Sequence, residues 1–184
     1  MSQERGAGKT ALLAYLSQAA LAHDWISANV SAAPGMLEDI LERANKAASE
    51  FISKREGARL KGVSIGGIDL DWEFKDAEKD NWRARMNALF KQLDRFDMGL
   101  LITIGEVNVS NEEMLQVTSV YQHFVREGRK TALLMAELPH KVSALLRDDS
   151  ASFLRRSQQH QLGRIPDFEI ADALIKTIEA RGRP

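Results

Sequence analysis

Two glycines, a lysine and a threonine fall within five residues near the start of the chain, in Gly6-Ala7-Gly8-Lys9-Thr10. Arg5 precedes them and Ala11-Leu12-Leu13 follows. Gly6 and Gly8 let the backbone curl so that successive N–H groups point inward, a concavity that suits phosphate oxygens. A helix opening near Lys9 adds its positive end to the same anion. Lys9 then reaches the β- and γ-phosphates, and the Thr10 hydroxyl ligates Mg²⁺. Arg5 to Ala11 thus read as the cradle of a phosphate-binding loop for ATP or ADP. The full motif asks for a glycine where this chain has Gln3.

Other chemically capable residues have plainer readings. Asp69, Asp71 and Glu73 alternate with Leu70, Trp72 and Phe74, so a metal-binding row competes with the favoured reading, the solvated side of a hairpin. Arg155-Arg156 offers guanidinium groups to a transferred phosphate, but helix-surface charge is the better reading. His23, His123, His140 and His160 are dispersed without paired spacing, and the absence of cysteine excludes disulfides and thiolate metal sites.

Composition frames these residues conventionally. The chain has 184 residues, 44% hydrophobic and 28% charged, enough to bury a sizeable core. Its 25 Lys and Arg against 26 Asp and Glu give a net charge of −1, so no bulk attraction to nucleic acid or anionic membrane exists. The sequence has neither an apolar run long enough to span a bilayer nor a signal peptide's apolar core, and a cytoplasmic protein is expected.

The elements that position the loop follow from periodicity. A helix is expected over 11–23 and a strand over 25–30, ended by Ala33-Pro34-Gly35. From Met36 to about Ser53, Leu37, Ile40, Leu41, Ala44, Ala48 and Phe51 recur on one helical face. The period drops to two between Leu60 and Phe74, where Gly66-Gly67 suggests a hairpin turn. Trp82, Met86, Leu89, Leu93 and Phe96 mark another helix, leading to the apolar strand Gly99 to Ile104. Ser110 reads as an N-cap and Glu113 as its capping-box partner for a helix through Val125. Thr131 to Ala136 is a further buried strand candidate. Short helical pieces follow Pro139, then a strand near 162–165 and a last helix over 167–179.

Alternating strands and helices indicate an α/β sheet with helices on both faces. One piece is missing from this scheme. A phosphate loop normally hangs from a buried parallel strand, and only Met1-Ser2-Gln3-Glu4 precede Arg5, too few and too polar to form it. The expectation is a fragment, a frame started late, or an unsupported loop.

Gly-Ala-Gly-Lys-Thr-Ala-Leu-Leu at 6–13, the strand ending in Gly105-Glu106-Val107, Leu133-Leu134-Met135-Ala136 before Leu138-Pro139, and Ser152-Phe153-Leu154-Arg155-Arg156 together resemble the AAA-type P-loop ATPases. The resemblance is nearest to prokaryotic ATP-binding proteins related to origin-recognition and signal-transduction ATPases. It implies a three-layer P-loop sandwich with a mainly parallel sheet, whose absent central strand would lie between 131–136 and 162–165. Residues 1–150 would form the nucleotide-binding core, and 151–184 the last strand and the start of a truncated lid.

By the same resemblance Glu106 is the catalytic base that polarises the attacking water. Gly105 stands where an Asp would hold Mg²⁺, leaving Thr10 and the phosphates for the metal. Ala136-Glu137 replace a polar residue near the γ-phosphate. ATP or ADP with Mg²⁺ is therefore expected to bind, with weak or absent hydrolysis. An active ATPase using Glu106 and a non-enzymatic interaction domain are the alternatives. Partners beyond nucleotide would be a second copy or another protein, with DNA reached only through a missing C-terminal domain.

Overall fold

In the computed structural model the described residues are 8–59, 81–106, 112–147, 149–163, 166–180 and 182. The expected hairpin between Leu60 and Phe74, the acidic row at 69–73 and the Ser110 cap lie outside them.

Among the described residues the chain is α/β, with six α-helices and a three-stranded sheet. Helix α1 spans Lys9–Leu21, and after a turn carrying Asp24 at φ 61° the strand β1 runs Trp25–Ser31. Helices α2 (Met36–Arg59) and α3 (Trp82–Arg95) precede β2 (Gly99–Gly105). Then come α4 (Glu112–Arg126), β3 (Thr131–Ala136), α5 (Pro139–Arg147), a 3-10 helix (Asp149–Arg156) and α6 (Asp167–Ala180). The strand expected near 162–165 is not formed at Leu162 and Gly163, which pair with no strand. That stretch owed its strand reading to a short apolar pair, too little to fix a β conformation without a neighbour to pair with.

Both strand pairs are parallel, in the order β1-β2-β3. Trp25 pairs with Gly99 and Ser31 with Gly105, while Leu100 faces Thr131 and Gly105 faces Ala136. The middle strand is buried along Gly99–Ile104, as its uninterrupted apolar sequence requires.

The core lies on one face of the sheet. Alternation sends Ile26, Ala28 and Val30, with Leu100, Ile102 and Ile104, toward Ile40, Leu41 and Ala44 of α2 and Met86, Leu89 and Phe90 of α3. Helix α3 earns its place through residues at helical spacing: Trp82, Met86, Leu89, Phe90 and Leu93 are buried, and Asn81 caps it by accepting from Ala84 N–H at 3.2 Å. Phe90 meets Phe124 of α4 edge-to-face at 4.9 Å, and Leu145 and Leu154 close the far end.

The opposite face carries α1. Here Ser27, Asn29, Leu101 and Thr103 point up at a helix whose apolar residues form no one-sided stripe and of which only Ser17 is buried. Leu12 and Tyr15 remain exposed on its outer side.

Candidate functional site

The site is built at the carboxyl ends of the strands. A three-residue turn joins α1 to β1, so α1 runs antiparallel to the sheet and its N-terminus returns to the carboxyl edge. A polar contact fixes the register: Ser17 Oγ lies 2.7 Å from Asn29 Oδ1, which also accepts from Thr103 Oγ1 at 2.6 Å. From Ser17 back to Lys9 the helix rises about 12 Å. From Asn29 to the end of β1 the strand advances only about 7 Å. The first turn of α1 therefore overhangs the edge where β2 ends in Gly105 and Glu106.

Gly8 is the N-cap of α1 with φ 73° and ψ 10°, left-handed backbone that favours glycine. A Cβ there would meet open space, so the requirement is conformational and not steric. Among the described residues no side chain caps this helix, and its first turn contains no acidic residue. Lys9 is half-buried, and Thr10 and Ala11 beside it are exposed. Those features fit an anion. Arg5, Gly6 and Ala7 lie outside the described residues.

Glu106 follows β2 directly, exposed and at φ 56°. Left-handed backbone at a residue with a Cβ costs on the order of 1 to 3 kcal/mol and concentrates at functional positions. Gly105 has no such constraint: among the described residues a Cβ would meet Val30 O at 3.9 Å, an ordinary contact. For Mg²⁺ this end of the molecule offers the Thr10 hydroxyl and no carboxylate at 105. Among the described residues no group of three His, Cys, Asp or Glu side chains is arranged to hold a metal.

Glu137 is held by its near neighbours. Its Oε1 accepts from Leu138 N–H at 2.8 Å and its Oε2 sits 3.4 Å from Lys141 Nζ, so its charge serves the start of α5. Arg155 is likewise occupied, donating from Nε to Leu146 O at 2.7 Å and capping the end of α5. Arg156 is exposed.

Glu113 plays a part that local pattern did not disclose. Its carboxylate accepts from Gly35 N–H at 2.7 Å and Leu37 N–H at 2.9 Å, capping α2 from another helix. The segment leaving β1 is thereby tied to α4. A capping-box spacing points Glu113 at its own helix, and nothing nearby in sequence names α2 as the second client.

No family model, curated protein or solved structure matches this chain. Among the described residues no helix is long and apolar enough to cross a membrane.

Proposed function

We propose that this chain is a nucleotide-binding module of the AAA-type P-loop class, taking ATP or ADP with Mg²⁺ and hydrolysing it weakly or not at all. One observation carries the reading: a glycine in left-handed conformation opens an uncapped helix, followed by Lys9 and Thr10, at the carboxyl edge of a parallel sheet. Crevices outside the carboxyl ends of parallel strands are where such sheets take ligands.

In this reading the phosphates sit against the N–H groups at the start of α1, and Lys9 neutralises their charge. Thr10 contributes its hydroxyl to Mg²⁺, which when bound would neutralise charge on the β- and γ-phosphates. Glu106 stands in the base position. Without a carboxylate at 105 the metal lacks its outer anchor, which lowers hydrolysis much more than binding.

The strained backbone at Glu106 favours a second reading, an active ATPase in which Glu106 orients the attacking water. Calorimetric titration with ATP and ADP tests the first. Lys9→Ala should weaken binding by about 1 to 3 kcal/mol, the cost of a lost charge-assisted contact. Equal affinity in wild type and variant would remove the phosphate-loop reading. Wild-type phosphate release that disappears in Glu106→Gln would select the active enzyme.

A further inference from the structure

Hydrophobicity leaves open which side of α1 meets the sheet. From Thr10 to Ala22 the chain carries no charged residue. Leu13, Leu16 and Ala20 are half-buried on the sheet side, while Leu12, Tyr15 and Leu21 stay exposed on the other. Both sides are apolar. Burial of apolar area is non-directional, so a helix rolled half a turn about its axis would offer the sheet a comparable surface.

One hydroxyl tells the two sides apart. Ser17 is 5% exposed, and its Oγ lies 2.9 Å from Leu13 O and 2.7 Å from Asn29 Oδ1. That Asn29 oxygen also accepts from Thr103 Oγ1 at 2.6 Å, and Thr103 is 1% exposed. Asn29 and Thr103 are register partners on β1 and β2, so two neighbouring strands present one polar spot to an otherwise apolar helix. Ser17 meets it. A rolled helix would set apolar side chains against that spot and forfeit the Ser17 bond, which a low-dielectric interface makes costly to lose.

We propose that Ser17, Asn29 and Thr103 are positioning residues: their shared hydrogen bonds select the side of α1 that meets the sheet, and with it the side on which Lys9 emerges. Lys9 lies about two turns before Ser17. It shares a helical face with Leu13, Leu16 and Ala20 by spacing, and like them it is half-buried. Half a turn of roll would carry it to the opposite side. A lone buried polar group fixes how helices meet in the same way where the surrounding apolar contacts are interchangeable. The consequence for nucleotide rests on the phosphate-loop reading, and the choice of side does not.

The chain has no cysteine, so single introduced thiols report on each side of α1. Position 14 is exposed and position 20 half-buried. In the full chain without nucleotide, Ala14→Cys should therefore react with a maleimide on the order of fivefold or more faster than Ala20→Cys. Combining Ser17→Ala, Asn29→Val and Thr103→Val removes the polar spot and keeps an apolar interface, so the helical circular dichroism should persist. The two thiol rates should then converge to within about twofold. Ser17→Thr retains the hydroxyl and should keep the original ratio. If the triple variant does not fold, Ser17→Ala alone carries the comparison, since alanine is well tolerated in a helix. A folded variant that keeps the original ratio, or equal rates in the otherwise unaltered chain, would overturn the proposal. Calorimetry with ATP adds a separate arm, in which Ser17→Ala should bind about tenfold more weakly. Converged thiol rates with unchanged ATP affinity would remove the positioning of Lys9. An unaltered chain that binds no ATP would remove the phosphate-loop reading, while the thiol rates still decide which side α1 presents.

Discussion

Glu113 and Leu37 are far apart in sequence, yet Glu113 Oε2 accepts the Leu37 N–H at 2.9 Å while Oε1 takes that of Gly35 at 2.7 Å. The first turn of α2 thus receives its cap, and a negative charge at its positive end, from the first turn of α4. Trp82 adds a second tie to the same turn, donating from Nε1 to Leu37 O at 2.8 Å. The segment after β1 is held at both its N–H and C=O groups.

Glu113→Ala should therefore cost about 1 to 2 kcal/mol, the usual loss when a helix cap is removed. For a chain of this length that lowers the thermal midpoint by roughly 3 to 6 °C. An unchanged midpoint would mean that water replaces the carboxylate without loss.

Gly99 and Trp25 form a complementary pair across β1 and β2. A Cβ at 99 would lie 2.3 to 2.6 Å from atoms of the Trp25 ring, too close for any real contact. Gly99→Ala should destabilise by about 1 to 3 kcal/mol through overpacking. Trp25→Ala removes the obstacle, so the double variant should cost less than the two single losses added. Additive losses in urea unfolding would show that the ring has room to move.

The strain at Glu106 predicts a conflict between stability and activity. Glu106→Gly relaxes the left-handed backbone and should raise stability by about 1 kcal/mol. It should also abolish whatever hydrolysis the wild type has. If the midpoint in denaturant does not rise, the conformation carries no strain.

Gly105→Asp places a carboxylate where, among the described residues, a Cβ meets Val30 O at an ordinary 3.9 Å. Its effect on stability should be small, and nucleotide hydrolysis should rise on the order of tenfold or more if metal anchoring is what the site lacks. No rise in phosphate release, with nucleotide still bound, would place the deficit elsewhere in the site.

Two side chains set opposite ends of the pH profile. The hydrogen bonds from Arg85 to Glu38, at 2.6 and 2.7 Å, hold the Glu38 carboxyl below its ordinary range. A depressed carboxyl stabilises the fold above the ordinary glutamate range, and that contribution is lost as pH falls through the folded value. Glu38 is 62% exposed, so the pair is worth only about 0.5 kcal/mol, and Glu38→Gln should flatten the acid limb of urea midpoints by that amount. Burial pushes the Tyr121 hydroxyl up. Its contribution holds below the ordinary phenol range and is lost as pH rises through the folded value, so Tyr121→Phe should remove a late tyrosinate step in absorbance. An unaltered alkaline titration in that variant would contradict this.

Local periodicity made most elements legible. The apolar run at 99–104, the face running from Trp82 through Leu93, and the alternation of strands and helices all act over a few residues, and each formed within a residue or two of its expected place. The helix starting at Met36 ran on to Arg59, because the charged residues of its last turns break the apolar pattern without breaking the helix. At Leu162 and Gly163 the expected strand is not formed, because a strand needs a neighbour and so short an apolar stretch does not specify one.

The run Gly8-Lys9-Thr10 made a helix start near Lys9 legible, since the conformation of one glycine is a local property. Tertiary structure alone decided that this helix turns back over β1, with Ser17 against Asn29. It also sent Glu113 to α2 and Arg155 to the carbonyls at the end of α5. Each of those partners lies in another element or beyond a turn, and a carboxylate or guanidinium has no sequence signal for which distant N–H or C=O it will meet. Its partner is set by how the helices pack across the sheet, which depends on the whole core at once.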